Sequence, residues 1–146
     1  MQAAYDVTIA YLTGQVAGAP GLQEEAPARG YAVAEMLFTL EATRALYYRA
    51  ISEDRLDPPA DCIQRARAAH VQVQRAVVHL TAEAIRVCGG RAILKRYPLE
   101  RYYRDARASA VMRPWTQDIA TQQAWETALA AKPADAPGGQ PSTRPA

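Results

Sequence analysis

Few side chains in this 146-residue chain are spaced to do chemistry by themselves. Cys62 and Cys88 lie far apart with no Cys-x-x-Cys spacing, and His70 and His79 do not join them. No tetrahedral metal site is therefore spelled out, and the thiols read as buried free cysteines of a reducing compartment. Glu41, Arg44 and His70 are the polar residues that fall among apolar helical positions. A guanidinium placed like Arg44 needs an acid, a carbonyl or a ligand to offset its burial, while His70 reads as a hydrogen-bonded core histidine. Grouped, the three would be the polar residues of a small catalytic site inside the fold, but only helical spacing groups them. Gly89-Gly90 is a different kind of signal. A helix C-cap accounts for the first glycine and leaves the second without a task.

The elements that must position these residues are helical, since apolar residues recur with the helical period and nowhere alternate. The first predicted helix runs from about Gln2 to Val16 and stops at Gly18-Ala19-Pro20-Gly21. It begins abruptly, with no Asp, Ser or Thr cap, which suits either a lost beginning or ordinary fraying. The second, about Ala28 to Asp54, sets Val33, Met36, Leu37, Leu40, Tyr47, Tyr48 and Ile51 on one stripe of core spacing. After Asp57-Pro58-Pro59, with proline expected at the first helical position, comes the third, about Ala60 to Cys88. Its stripe is Ile63, Ala66, His70, Val73, Val77, Leu80 and Ala84. Gly89 then supplies the positive-φ residue that ends it. Tyr97-Pro98 opens a short helix from about Leu99 to Val111, Pro114 breaks it, and a last helix runs from about Gln117 to Ala131. Long antiparallel helices with short loops predict an all-α, up-and-down four-helix bundle over residues 1–131. Residues 132–146, rich in Pro and Gly, have little to bury and are expected to be a disordered tail.

Charge and hydropathy remove several classes of function. Seventeen basic and 15 acidic side chains nearly balance, and the densest basic stretch, Arg86 to Arg107, also holds Glu100 and Asp105. Nucleic-acid binding needs basic residues segregated on one face, so it is not expected. No apolar run approaches the roughly 20 residues of a membrane span. Met1 to Tyr11 lacks the basic start and cleavage site of a secretory signal, which points to the cytoplasm.

The run Tyr97-Pro98-Leu99-Glu100-Arg101-Tyr102-Tyr103-Arg104-Asp105-Ala106, at this distance after Cys88-Gly89-Gly90, is distinctive. It resembles the C-terminal α-helical domain of acyl-CoA dehydrogenases, where a Gly-Gly turn leads to a similar charged helix. Ala34-Glu35-Met36 and Glu41-Ala42-Thr43-Arg44 look like that domain's second helix, and Ala4 to Tyr11 with Gly18-Ala19-Pro20 like its first helix and turn. The likeness covers roughly residues 3 to 130. The charged run also makes sense as architecture: Glu100 with Arg104, and Arg101 with Asp105, are spaced for i,i+4 ion pairs.

The resemblance implies an FAD-dependent oxidoreductase of acyl-thioester-type substrates. In that family the turn matching Gly89 and Gly90 approaches the adenosine-diphosphate half of FAD, often that of a neighbouring subunit, which glycine alone permits. The implied partner is a second copy in a homo-oligomer, or a flavoprotein subunit supplying the N-terminal helical and middle β domains that this sequence lacks. Two further departures bear on chemistry. The Arg that meets the flavin pyrophosphate has no match in Gln15-Val16-Ala17-Gly18, since Gln cannot replace a guanidinium, and the expected Gln farther on falls near Pro27. The family's catalytic Glu corresponds to Arg113, in Arg113-Pro114-Trp115, and a permanently protonated guanidinium cannot act as the base. Asp118 is the nearest carboxylate, although a helix N-terminal acid is its simpler role. Flavin monooxygenase-like branches of the family carry other residues at the Glu position. The expectation is a fragment or small subunit, inactive alone. The alternative is a non-redox oligomerisation module, using some of Tyr47, Tyr48, Tyr97, Tyr102, Tyr103, Trp115 and Trp125, most of which should be core.

Overall fold

The computed structural model describes residues 1–19, 21, 27–113 and 116–130, and every regular element among them is helical. Five α-helices follow in order: α1 (Gln2–Leu12), α2 (Pro27–Ser52), α3 (Ala60–Cys88), α4 (Leu99–Ser109) and α5 (Gln117–Ala130). A single 3-10 turn, Gly90–Ile93, joins α3 to α4. The expected tail, Pro20, Pro114, Trp115 and Ala131 lie outside the described residues.

α3 is the central post, packed against α1, α2, α4 and α5. It starts where the Pro58-Pro59 break predicts, but Pro59 is the N-cap, with φ −60° and ψ 157°, and not the first helical residue. At the other end the Gly89 N–H donates to the Ile85 carbonyl, and Gly89 adopts φ 85°, ψ 172°. That combination is more restrictive than the ordinary left-handed cap and is open essentially to glycine alone. α1 stops at Leu12, short of the expected Val16. Gly14, at φ 75°, has already turned the chain out of the helix, and Val16 packs on the core from the turn that follows.

The core lies at one end of the bundle, where Tyr11 of α1, Met36 and Leu40 of α2, Leu80 and Ala84 of α3, Ala92 of the 3-10 turn and Leu99 of α4 meet. The buried threonine hydroxyls there are satisfied within their own helices: Thr8 donates to the Ala4 carbonyl at 2.7 Å and Thr81 to Val77 at 2.7 Å.

The opposite end departs from expectation. Tyr47, Tyr48 and Ile51 of the α2 stripe are exposed, as are Ile63 and Ala66 of the α3 stripe. Length is the reason. α2 and α3 have 26 and 29 residues, whereas α1 and α4 have 11 each. At ~1.5 Å per residue, helices of about 16 Å cannot cover a pair of about 40 Å. α5 covers part of one side, burying Ala120 and accepting a 3.4 Å bond at the Ala124 carbonyl from Gln64 Nε2.

Candidate functional site

Two places on the molecule gather the residues singled out by sequence. The first is the Gly89-Gly90 turn. Gly89 is held glycine by its backbone angles. Gly90 has no positive φ, and a Cβ added to either residue would meet nothing within 4 Å. Among the described residues, neither conformation nor packing therefore requires glycine at 90.

Arg91, Lys95 and Arg96 follow on the exposed surface, and the charge of Arg29 at the start of α2 reaches Cys88 beneath the turn. Among the described residues none of these four cations forms an ion pair. The Arg96 guanidinium instead rests 4.9 Å from the centre of the Tyr97 ring, a cation–π geometry. Tyr97 meets Tyr11 edge to face at 5.4 Å, and both phenol oxygens are buried without a hydrogen-bond partner.

Burial pushes the Cys88 thiol up to about 11, against the pull of the Thr8 hydroxyl and Arg29. Burial first, then repulsion from Tyr97 and Cys88, raises the Tyr11 phenol above its ordinary value. Both groups stay neutral near pH 7, so the floor beneath the turn holds no nucleophile. Cys62 and Cys88 are free and buried. No three His, Cys, Asp or Glu residues among those described could hold a metal.

Gln15, Val16, Ala17 and Gly18 lie in the turn after α1. Gly18 has φ 75°, and a Cβ there would come within 3.3 Å of Tyr97 Oη. This stretch makes room for the buried tyrosine and brings no guanidinium to the Gly89 turn.

The second place is a groove of about 710 Å³ at the uncovered end, walled by Leu40, Val73, Val77 and Met112. It collects Arg44, His70 and Arg113, three candidates that sequence alone could not connect. Arg44 finds the acid its position calls for, bonding to Glu41, and also donates to Gln2 Oε1. Gln74, overlooked in the sequence, is only 5% exposed and donates from Nε2 to the Ser109 carbonyl at 2.9 Å. Its signal was a polar residue one helical turn beyond His70. Arg113 is exposed at the groove, and no Asp or Glu is among the described residues that line it. Asp118 sits exposed in the first turn of α5, where Thr116 Oγ1 accepts from the Ile119 N–H at 3.3 Å as a cap.

On α4, Arg104 reaches Glu100 at 3.5 Å. The second pair allowed by spacing does not close: Arg101 lies over the Tyr102 ring at 5.7 Å. No helix among the described residues is long and apolar enough to cross a membrane.

Residues 2–113 match the family of acyl-CoA dehydrogenase C-terminal domains. The mitochondrial short-chain specific acyl-CoA dehydrogenase of Bos taurus is 32% identical over 112 residues, which is 75% of this chain and 26% of that protein. The chain thus spans about a quarter of the length of the curated relatives it matches. Among solved structures, butyryl-CoA dehydrogenase from Megasphaera elsdenii superposes with a TM-score of 0.74 at 23% identity, covering 88% of this chain and 32% of that one. Nitrososynthase from Micromonospora carbonacea var. africana superposes with a TM-score of 0.70 at 26% identity, covering 88% and 34%. With its helix order, its Gly89-Gly90 turn and the charged α4 that follows, this chain belongs to the acyl-CoA dehydrogenase family and carries that family's C-terminal helical domain.

Proposed function

We propose that the bundle completes a flavin site in an FAD-dependent oxidoreductase of acyl-thioester-type substrates, and that it does not catalyse alone. The observation that carries this reading is Gly90. It is a glycine with no conformational or packing reason among the described residues, placed on an open surface beside cations. A backbone bare of side chains lets a phosphate approach the N–H groups at the start of the turn, and Arg29, Arg91 and Arg96 supply positive charge around it. These residues fit the adenosine-diphosphate half of FAD. Among the described residues nothing comparable serves the isoalloxazine ring, and in this reading its wall comes from the N-terminal helical and β domains of a flavoprotein partner, or from another subunit of a homo-oligomer. FAD, when bound, supplies the two-electron acceptor.

This chain's own part is to hold and orient. Arg113 stands where the family has Glu, a guanidinium is no base, and among the described residues lining the groove there is no carboxylate to take a proton from carbon. The same reading places the chain in the cytoplasm, with Cys62 and Cys88 kept as thiols.

Co-expression with a chain carrying the missing domains tests the proposal. The expected product is a yellow complex, and Gly90→Val should lose the colour without lowering the melting temperature of the bundle. A colourless pair that does not associate refutes it. The exposed Tyr47, Tyr48 and Ile51 favour one other reading, a non-redox oligomerisation module. Light scattering separates the two, because a stable homo-oligomer without flavin supports the module and a strict monomer with no partner removes it.

A further inference from the structure

We propose that the outer face of α2 is the surface on which a second copy of this chain docks, the two α2 helices lying antiparallel about a two-fold axis at Ala42. The inference uses neither the flavin reading nor the groove at the open end.

The first observation is that α2 is apolar on both sides. Met36 and Leu40 belong to the core, while Tyr31, Phe38 and Leu46 stand 75%, 62% and 41% exposed. At 3.6 residues per turn, Tyr31, Phe38, Ala42 and Arg49 fall on one stripe opposite Met36, with Glu35 and Leu46 on its flank. The apolar residues of α3 keep to one side, whereas those of α2 show no preferred side. A helix apolar all round is one built to be covered all round. Among the described elements α2 touches only α1 and α3, so its outer stripe has no cover there.

The second observation selects the occupant. The residues along this face are complementary to their own sequence read backwards. Phe38 and Leu46 stand four residues to either side of Ala42, and Glu35 and Arg49 seven to either side. With a second helix turned antiparallel about Ala42, Phe38 comes level with Leu46 of the other copy, and Glu35 with Arg49 of the other copy. Each contact is then made twice, as a two-fold interface requires. A parallel pair would set Glu35 against its own equivalent.

The charges are available for this use. Among the described residues Glu35 forms no ion pair. Arg49 reaches Glu53 at 3.3 Å with its side chain 62% exposed, and Glu53 keeps Arg65 at 2.7 Å if Arg49 turns outward. Ala42, exposed at the axis, is small enough to let the helix axes approach to about 8–10 Å. A partner of one uniform charge would leave either Glu35 or Arg49 facing a like charge; a second copy matches both.

Sedimentation equilibrium of the full chain tests the contact. The mass should rise to twice the monomer value by about 100 µM, as suits a helix pair smaller than a standard interface. Glu35→Arg or Arg49→Glu alone should weaken association about tenfold or more, by setting like charges together at two places. Mixed in equal amounts, the two variants should regain the dimer, because each then offers the charge that the other lacks at both contacts. Ala42→Cys, which leaves the charges alone, should give a disulfide-linked dimer under mild oxidation, since Cys62 and Cys88 are buried. A chain that stays monomeric at every concentration overturns the proposal and assigns the face to another segment of this chain or to a different partner. So does a dimer that survives both single variants or that Tyr48→Ser abolishes, because the contact then lies elsewhere, and so does a mixture that stays monomeric. None of these variants touches the Gly89-Gly90 turn, so the yellow colour of the co-expressed complex is scored apart from the mass. The module at the open end is likewise tested in the Glu35→Arg chain, where the α2 contact is removed.

Discussion

The two ends of the α2–α3 pair share the same helices and the same apolar period, yet they differ in state. At the closed end Leu80, Ala84 and Leu99 are fully buried, whereas at the open end Tyr47, Tyr48 and Ile51 remain 52%, 62% and 51% exposed. The difference lies in what is available to cover them. α1 and α4 reach one end and run out before the other. Burial yields roughly 25 cal/mol per Å² only where a cover exists. An apolar stripe thus shows that a face suits burial without showing that this chain provides the burying surface.

Substitutions at the two ends should separate most sharply. Leu80→Ala or Leu99→Ala should cost about 2–5 kcal/mol in urea unfolding, through lost contacts and the cavity left behind. Tyr48→Ser and Ile51→Ser should stay within about 0.5 kcal/mol in the isolated chain. Comparable losses at both ends would mean that the open end is covered in solution.

The turn at the head of the closed end permits a finer test, because its two glycines have different reasons to be there. Gly89→Ala forces an L-residue to φ 85° and should cost about 1–3 kcal/mol. Gly90→Ala meets only open space and should stay within about 0.5 kcal/mol by the same unfolding assay. A large loss at 90 would return that glycine to a structural role and weaken the flavin reading.

An ion-pair cluster holds the base of the open end. Arg65 donates to Glu53 at 2.7 Å and to Asp61 at 2.8 Å, and those hydrogen bonds hold both carboxyls below their ordinary values. A depressed carboxylate pKa stabilises above the unfolded value and loses that contribution as pH falls through the folded one. Arg65→Met should therefore lower the melting temperature at neutral pH, and the gap from wild type should close below about pH 3. A gap that persists in acid would assign the effect to packing of the arginine stem.

The smallest expected effect is chemical. With its thiol pushed up to about 11, Cys88 should resist iodoacetamide at about pH 8 in the folded chain while reacting freely once unfolded, as mass spectrometry of its peptide would show. Rapid alkylation of the native protein would mean that the closed end opens.

Much of this was legible in the residues themselves. α3 begins after the Pro58-Pro59 break and ends before Gly89 because proline and glycine act through local backbone geometry, which needs no tertiary context. The Glu100–Arg104 pair on α4 was readable as i,i+4 neighbours for the same reason, whereas the structure chose Glu41 as the partner of Arg44 from the acid, carbonyl or ligand its position called for. The end of α1 was misread because Gly14 and Gly18 look alike in sequence, and both take positive φ. The pair Arg101 and Asp105 had the right spacing, but Arg101 took up the Tyr102 ring instead.

By itself, then, the order of residues determined a helical chain, its punctuation and its family, since all three depend on near neighbours and short motifs. Only the tertiary structure decided which half of each apolar stripe is buried, and that Arg44, His70 and Arg113 share one groove. The physical reason is that helix periodicity states a direction around an axis, whereas burial and encounter depend on how far along that axis another helix extends.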